Sequence, residues 1–322
     1  MKPKVIVAIT TYNLEKYINE CLDSVLMQKT NFDYKIIIAD DASTDKTVEI
    51  LKEYQSKYPE KISLILNEKN LGSLATSNKI FDRIDCEYFS FLDGDDYWLD
   101  ENRLQKQVDF LDSHPEYTLC GSNTHFLING KIDKDVVSKK QVNKSYTFEE
   151  YVKDIAPFVH TSSLLVRNII FKDGLPKCYI EAVDTFENCA LRGEDFRRVL
   201  HHEKGLMYVS DDYYSVYRIH SQGTWQGKSE IHKILELAIS SNFYKKYFGD
   251  KYGDLFEKKA RFTYKLLMKK LIMNGNFLNS YSLPEKDDYL LRCYLADVRN
   301  DEKMTKKNGL VNFLVKVLFK LY

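Results

Sequence analysis

The chain has 322 residues, of which 44% are hydrophobic and 29% charged, a composition typical of a soluble globular protein. Its formal net charge is zero, but residues 228–322 carry 19 Lys and Arg against 11 Asp and Glu, whereas the first 227 residues carry 28 against 36. No apolar run reaches the length that a membrane-spanning helix needs, which excludes that class of protein. The basic C-terminal part predicts contact with an anionic surface.

The cysteines are widely spaced and form neither a C-x-x-C pair nor a zinc-site pattern. This spacing predicts reduced thiols, and the apolar run at the N-terminus is too short for a signal peptide. We therefore expect a cytoplasmic protein. The six cysteines are Cys21, Cys86, Cys120, Cys178, Cys189 and Cys293.

The first 115 residues alternate between strand-like apolar runs and segments with helical spacing of apolar residues. The strands are predicted at Val5–Thr10, Tyr34–Ala39, Ile62–Leu66 and Tyr88–Leu92. This alternation predicts βαβ units, and hence a parallel sheet with helices on both faces. Ligands of such sheets bind beyond the carboxyl ends of the strands.

Polar residues follow each of these strands, which predicts one site at one edge of the sheet. The most informative cluster is Asp93-Gly94-Asp95-Asp96, directly after the fourth strand. Like charges at a strand end are costly unless a cation lies among them, and Mg²⁺ prefers oxygen ligands of this kind. An isolated acidic turn is the alternative interpretation. The other clusters are residues 10–13, 40–43 and 67–70.

The next part of the chain mixes strands and helices. Asn129-Gly130 predicts a hairpin, and Thr147 with Glu150 resembles a capping box that opens a short helix. We predict strands at Thr118–Ser122, Thr124–Ile128, Ser162–Arg167, Leu206–Val209 and Tyr213–Arg218, and a helical segment at 186–202. From residue 228 onward the pattern is helical. We therefore predict a catalytic domain over 1–227, with halves at 1–115 and 116–227, and a helical region over 228–322.

Together these motifs resemble family 2 glycosyltransferases with the GT-A fold, from Val5 to about Trp225. Any one motif is weak evidence, but their order along the chain is that of the family. The matching pieces are Thr-Tyr-Asn at 11–13, Asp-Asp-Ala-Ser at 40–43, Asn-Leu-Gly at 70–72, Leu-Asp-Gly-Asp-Asp at 92–96, Gly-Glu-Asp at 193–195 and Tyr-Arg-Ile-His at 217–220.

The resemblance implies a metal site with Mg²⁺ or Mn²⁺ that bridges the diphosphate of a nucleotide sugar. Asp95 would be the principal metal ligand, and Asp93 would lie nearer the ribose or the sugar of the donor. His220 would complete the metal site, although a lone histidine is more often structural. Asp96 would support the site, and Arg218 would be either a structural ion-pair partner or a diphosphate contact.

The resemblance also assigns the donor-binding residues. Asp40 would accept a hydrogen bond from uracil, whereas its alternative role is that of a turn residue before the following helix. Tyr12 would stack on the base, Thr10 would line the nucleotide cleft, and Asn70 would shape the loop under the donor. Many relatives carry an arginine at the position of Ser77, so Lys79 is the substitute that the chain offers as a phosphate-binding cation.

Asp195 matches the family's catalytic base, which deprotonates the acceptor hydroxyl in an inverting displacement, and Glu194 would orient either that base or the acceptor. The alternative for both is a solvated helix start, where acidic residues are favoured by the helix dipole. Trp98 and Trp225 are candidate platforms for sugar stacking, although a tryptophan is more commonly buried.

Residues 303–322 are rich in lysine and apolar residues, which suits a helix on an anionic membrane surface or, equally, one that closes the domain or a dimer. The expected function is transfer of a sugar from a nucleotide donor, UDP-linked, to a glycan acceptor of a surface polysaccharide such as O-antigen or capsule, with a lipid-linked acceptor at the inner face of the membrane. The alternatives are a nucleotidyltransferase acting on sugar phosphates and a degenerate sugar-nucleotide-binding protein. No nucleic-acid-binding motif is recognised.

Overall fold

A computed structural model of the chain describes residues 2–135, 137–191, 195–220, 223, 227–273 and 283–299. The chain divides into two compact units. The first comprises Met1–Val183 with Leu191–Ser221, and the second comprises Asp184–Ala190 with Gln222–Tyr322.

Ten strands and eleven helices are assigned in the described residues. The strands are β1 (Val5–Thr11), β2 (Tyr34–Asp40), β3 (Ile62–Leu66), β4 (Tyr88–Asp93), β5 (Tyr97–Trp98), β6 (Tyr117–Ile128), β7 (Lys131–Asp135), β8 (Lys144–Tyr146), β9 (Leu165–Arg167) and β10 (Leu206–Ile219). The helices are α1 (Ile18–Leu26), α2 (Thr47–Lys57), α3 (Ser73–Phe81), α4 (Arg103–Ser113), α5 (Phe148–Val152), α6 (Lys177–Glu181), α7 (Asn188–Leu191), α8 (Asp195–His202), α9 (Glu230–Tyr247), α10 (Gly249–Met273) and α11 (Glu285–Arg299).

The first unit is built on one mixed sheet with the strand order β3-β2-β1-β4-β9-β6-β10-β5. The first four strands in that order are parallel, as the βαβ pattern predicts. Beyond them β9 lies antiparallel to both β4 and β6, whereas β10 runs parallel to β6. Because β4 and β1 are central, their residues are almost entirely buried and apolar, which is why they appear as continuous hydrophobic runs.

Two predicted strand pairs are single long strands in the structure. The runs within 117–128 join into β6, and those within 206–219 join into β10, where the register with β6 shifts around residues 209–215. The polar residues 210–212, which interrupt the apolar pattern, lie at one of these bulges. The predicted strand at Ser162–Arg167 is wrong in its first half, because residues 161–163 form a 3₁₀ turn.

Two local predictions are confirmed. Asn129 and Gly130 both have positive φ, 51° and 75°, and join β6 to antiparallel β7. The capping box at Thr147 and Glu150 is complete and opens α5.

The second unit is helical where it is described, as expected from residue 228 onward. Ser229 caps α9, and the buried ring of His232 lies between the carboxylates of Glu236 and Asp287 and so ties α9 to α11. None of the described helices has both the length and the hydropathy needed to cross a membrane. The segment 303–322 lies outside the described residues.

Candidate active site at the carboxyl edge of the sheet

The carboxyl ends of the parallel strands are held side by side by backbone hydrogen bonds. In the register, Thr10 lies opposite Asp93 and Thr11 lies opposite Asp40. Beyond the strand ends, the N–H of Gly94 donates to the carbonyl of Thr10 at 3.2 Å, and the N–H of Asp41 donates to that of Thr11 at 2.9 Å. The polar clusters therefore gather at one edge, as predicted.

Gly94 is needed at this edge because the backbone of the acidic turn lies against β1. A Cβ at Gly94 would be 2.8 Å from Cγ2 of Thr11, 3.0 Å from Cδ1 of Leu14 and 3.2 Å from the carbonyl oxygen of Thr10. The requirement is one of close approach, since the φ of Gly94 is not positive. Any larger residue would push the aspartates away from the neighbouring strand.

Asp95 and His220 are 125 residues apart in the chain and meet at this edge. The Nε2 atom of His220 lies 2.9 Å from Oδ2 of Asp95, and the two side chains are 11% and 19% exposed. The contact exists because β5 pairs with β10, which brings the acidic turn beside the end of β10. The sequence motifs predicted this pair as metal ligands.

Asp96 and Arg218 also connect the acidic turn with the end of β10. Oδ1 of Asp96 accepts the backbone N–H of Arg218 at 2.9 Å, and Nε of Arg218 donates to the carbonyl of Asp95 at 2.9 Å. Burial, together with the carboxylates of Asp95 and Asp93, raises the pKa of Asp96 well above its usual range. Arg218 also forms an ion pair with Glu20 at 2.6 Å, and its contact with a diphosphate stays a prediction.

The side chains at this edge suit a hard divalent cation that takes some of its ligands from the protein and the others from a substrate. Two neighbouring ligands of an octahedral ion, each about 2.1 Å from the metal, lie about 3 Å apart, as the Asp95 and His220 atoms do. In the described part of the chain no group of three or more His, Cys, Asp or Glu converges as a complete metal site. An ion held here would therefore take its other ligands from substrate oxygens and water, which is how Mg²⁺ is commonly bound with phosphates.

The predicted donor residues occupy three different environments. Tyr12 is 47% exposed, Asn70 is exposed on the loop after β3, and Thr10 is partly buried. Asp40 is only 1% exposed and accepts hydrogen bonds from the backbone N–H and hydroxyl of Ser43 and the hydroxyl of Thr11. This geometry favours the turn role of Asp40, although the following helix begins only at Thr47, and its contact with a base stays a prediction.

Asp41 organises this edge, a role that the sequence did not reveal. Its carboxylate accepts the backbone N–H groups of Leu71 and Gly72 at 2.8 and 2.9 Å, and also the side chains of Asn67 and Thr76. Burial alone would raise the pKa of Asp41, but these donors hold it below its usual value. Asp41 thus fixes the loop between β3 and α3 as an ionised structural group.

The loop after β3 also contacts Lys79 of α3, the residue that the sequence analysis offers as a phosphate-binding cation. Nζ of Lys79 donates to Oδ1 of Asn67 at 2.7 Å. Ser77 is buried and donates to the carbonyl of Leu74. Lys79 as a phosphate contact stays a prediction.

Asp195 is the first residue of α8, and its side chain is 43% exposed. Its Oδ1 atom accepts from Nη2 of Arg198 at 2.5 Å and from the hydroxyl of Tyr151 at 2.9 Å. Burial, followed by the nearby Asp195 charge, raises the pKa of Tyr151, so its hydroxyl stays protonated and able to donate. Tyr151 and Arg198 therefore orient Asp195, which is one of the two roles that the sequence offered for Glu194. Glu194 lies outside the described residues.

A continuous row of contacts joins the acidic turn to Asp195 within the first unit. Nδ1 of His160 lies 3.8 Å from Oδ2 of Asp96, and its ring lies 6.3 Å from that of Phe158. The guanidinium of Arg198 lies 5.4 Å from the Phe158 ring and binds Asp195. Neither His160 nor Phe158 belongs to a motif that the sequence analysis used.

Trp98 is not a platform for sugar stacking, and that prediction is wrong. The residue is 2% exposed, its Nε1 donates to the carbonyl of Ser162 at 2.9 Å, and the guanidinium of Arg103 lies 3.8 Å from its ring centroid. The physical reason is that β5 places the side chain inside the sheet's core. Trp225 lies outside the described residues.

Comparison with known proteins decides the family. The family model for glycosyl transferase family 2 matches residues 6–174, which is just over half of the chain. The chain belongs to glycosyl transferase family 2. The matched range contains the acidic turn and the strand ends described above, whereas Asp195 and His220 lie beyond it.

Two relatives illustrate how this member of the family compares by sequence. An uncharacterized protein of Mycobacterium tuberculosis is 31% identical over 215 residues, which are 67% of this chain and 58% of that protein. The poly(ribitol-phosphate) beta-N-acetylglucosaminyltransferase TarS of Staphylococcus aureus is 30% identical over 181 residues, 55% of this chain and 27% of TarS. The chain thus spans about three fifths or less of the length of these relatives.

Solved structures support the same fold. The structure of TarS 1-349 in complex with UDP matches with a TM-score of 0.59 at 19% identity, covering 99% of this chain and 89% of that one. A mannosyltransferase from Pyrobaculum calidifontis in complex with GDP-Man and Mn²⁺ matches with a TM-score of 0.52 at 15% identity, covering 99% and 87%. The predicted GT-A fold, with a helical C-terminal region, is confirmed.

Proposed function

We propose that this chain is an inverting, metal-dependent glycosyltransferase that moves a sugar from a nucleoside diphosphate, UDP, to a hydroxyl of a glycan acceptor. The observation that carries the proposal is the Asp95–His220 pair, which lies at the carboxyl edge of a GT-A sheet with a 2.9 Å separation. Membership of the glycosyltransferase family and the likeness to a UDP complex support the reaction class and the donor.

Asp95 and His220 would hold Mg²⁺ or Mn²⁺, which when bound neutralises the charge that builds on the departing diphosphate. Asp93, two residues before Asp95 and partly exposed, would contact the ribose or the sugar of the donor. Asp96 would keep the two ligands together, because its Oδ1 bond to the N–H of Arg218 links the acidic turn to the end of β10.

Asp195 would accept the proton of the attacking acceptor hydroxyl. As the new bond from the acceptor oxygen to the anomeric carbon forms, the bond from that carbon to the diphosphate oxygen breaks, and the configuration inverts. Arg198 and Tyr151 both contact Oδ1 of Asp195, which orients the carboxylate for this task. The contacts through His160 and Phe158 connect the acidic turn to Arg198 and Asp195, which supports one shared site for donor and acceptor.

On the donor side, Tyr12 would stack on the base, since its ring is 47% exposed beside the strand ends. Asp40, Thr10 and Asn70 would complete the nucleotide cleft. The name of TarS supports an acceptor among anionic surface polymers, and a lipid-linked acceptor would suit a protein that works at the cytoplasmic face of the membrane. Residues 303–322 would then make the peripheral membrane contact.

Calorimetric titration of UDP into the chain with Mn²⁺, and then with a chelator, tests the proposal. We expect UDP affinity that depends on Mn²⁺ in the wild-type chain. The same dependence is expected in the control variant Asp82→Ala, which removes an exposed carboxylate at the end of α3. Asp95→Ala should lose the metal dependence. Equal UDP affinity with metal and with chelator would refute the metal assignment, and no UDP binding in either condition would refute the donor.

A further inference from the structure

The residue before α1, Tyr17, lies against His220 of the Asp95–His220 pair. Tyr17, which directly precedes α1, has its ring centroid 4.7 Å from that of His220 at an interplanar angle of 41°. The guanidinium of Arg218 lies 4.9 Å from the same Tyr17 ring. One aromatic ring therefore contacts both the histidine and the arginine at the end of β10.

Arg218 is fixed at the same place by polar contacts. Its Nη2 donates to Oε2 of Glu20, in the first turn of α1, at 2.6 Å, and its Nε donates to the carbonyl of Asp95 at 2.9 Å. Its side chain is 15% exposed, against 54% for Glu20. Three segments, α1, the acidic turn and the end of β10, thus converge on Tyr17 and Arg218.

The role of Tyr17 is not explained by the start of the helix. It occupies the N-cap position, where Ser, Thr, Asp and Asn are preferred, and its side chain makes no capping hydrogen bond. It is also absent from the hydrophobic core cluster of the first unit. Glu20, in contrast, is favoured by the helix dipole whatever else it does, so Tyr17 is the more informative residue.

Among the described residues, the ring of His220 has no hydrogen bond to its second nitrogen that would orient it. A metal-binding histidine commonly donates its second ring N–H to a carboxylate or a carbonyl, which fixes the ring. Nδ1 of His220 is buried and has no hydrogen-bond partner among the residues that the structure describes. Besides the contact of Nε2 with Asp95, the described contact of this ring is the aromatic one with Tyr17, which restrains its rotation.

We propose that Tyr17 is a positioning residue for His220, and that ring contact holds Nε2 of the histidine toward Asp95 where a hydrogen bond to Nδ1 would ordinarily do so. This inference rests on the proposed function, because it assigns Tyr17 to the same metal-binding pair. Glu20 assists by holding Arg218, which lies two residues before His220 and contacts the same Tyr17 ring.

Calorimetric titration of Mn²⁺ into the full chain saturated with UDP tests the role of Tyr17. We expect Tyr17→Leu to weaken Mn²⁺ binding by about tenfold or more, the usual effect of losing the group that orients a ligand. Tyr17→Phe should retain the wild-type affinity for Mn²⁺ to within about twofold, because it keeps the aromatic ring. Tyr54→Leu, which removes a partly buried tyrosine from α2, should bind Mn²⁺ as the wild type does.

The outcomes separate this inference from the proposed function. If the wild type binds Mn²⁺ and Tyr17→Leu retains that affinity, the positioning role is refuted while the metal site stands. A loss in Tyr17→Phe as large as in Tyr17→Leu would assign the effect to the hydroxyl and also refute the ring contact. If the wild-type protein does not bind Mn²⁺ at all, and so behaves as Asp95→Ala is expected to, both proposals are refuted.

Discussion

Two adjacent buried histidines on α8 make the fold sensitive to acid. Both are fully buried: His201 lies against Phe89 and Phe171, and Nε2 of His202 bonds the carbonyl of Tyr146 at 3.0 Å. Burial lowers the pKa of each from 6.5 to about 4. The hydrogen bonds agree with neutral rings, because His201 contacts a carbonyl through Nδ1 and receives an N–H at Nε2, and Nδ1 of His202 has no partner in the described residues.

The size of the effect follows from this pKa difference. Between pH 6.5 and 4 the unfolded chain binds more protons than the folded one, so the free energy of unfolding falls as the pH falls through that window. Each pH unit costs about 1.4 kcal/mol per histidine, and the 1.5 units from pH 6.5 to 5 therefore cost about 2 kcal/mol each, or about 4 kcal/mol together. That is a large part of the ~5–15 kcal/mol by which a domain is normally stable.

Urea unfolding, followed by far-UV circular dichroism at about pH 7 and at about pH 5, measures this loss. His201→Gln should lower stability at pH 7 and should shift the difference between the two pH values by about 2 kcal/mol, the contribution of this one ring. Lys204→Gln changes an exposed charge three residues further along and should keep the full difference. A difference between the two pH values that is undiminished in His201→Gln would refute neutral burial of this ring.

Three further substitutions probe the site. Asp195→Asn should leave UDP binding near normal in calorimetry but slow sugar transfer by about 10²–10⁴-fold in a donor-turnover assay, the usual contribution of a general base; substantial remaining transfer would assign the base elsewhere. Gly94→Ala should cost about 1–3 kcal/mol in urea unfolding and weaken UDP binding, because its Cβ would meet Thr11 at 2.8 Å; unchanged UDP affinity would contradict the close approach. Ala42→Gly should raise stability by up to about 1 kcal/mol, since the residue has φ of 63°, and a loss of stability would argue against that left-handed backbone.

Local patterns were sufficient to predict the parallel half of the sheet and the place of the site. Strand and helix periodicities are read within a few residues, and parallel strands necessarily bring their carboxyl ends to one edge. The acidic turn at Asp93–Asp96, the hairpin at Asn129-Gly130 and the capping box at Thr147 depend on neighbours in sequence, and the structure contains all three. The family motifs added candidate roles that spacing alone does not supply.

Tertiary structure alone decided which side chains meet. The insertion of β9 between β4 and β6 makes the sheet mixed, and no local pattern encodes which strands pair across the chain. The ion pair of Glu20 with Arg218 spans 198 residues, and the bond from Tyr151 to Asp195 spans 44. Trp98 is buried under Arg103 for the same reason: burial depends on packing between distant segments, whereas sequence spacing reports only the local chain.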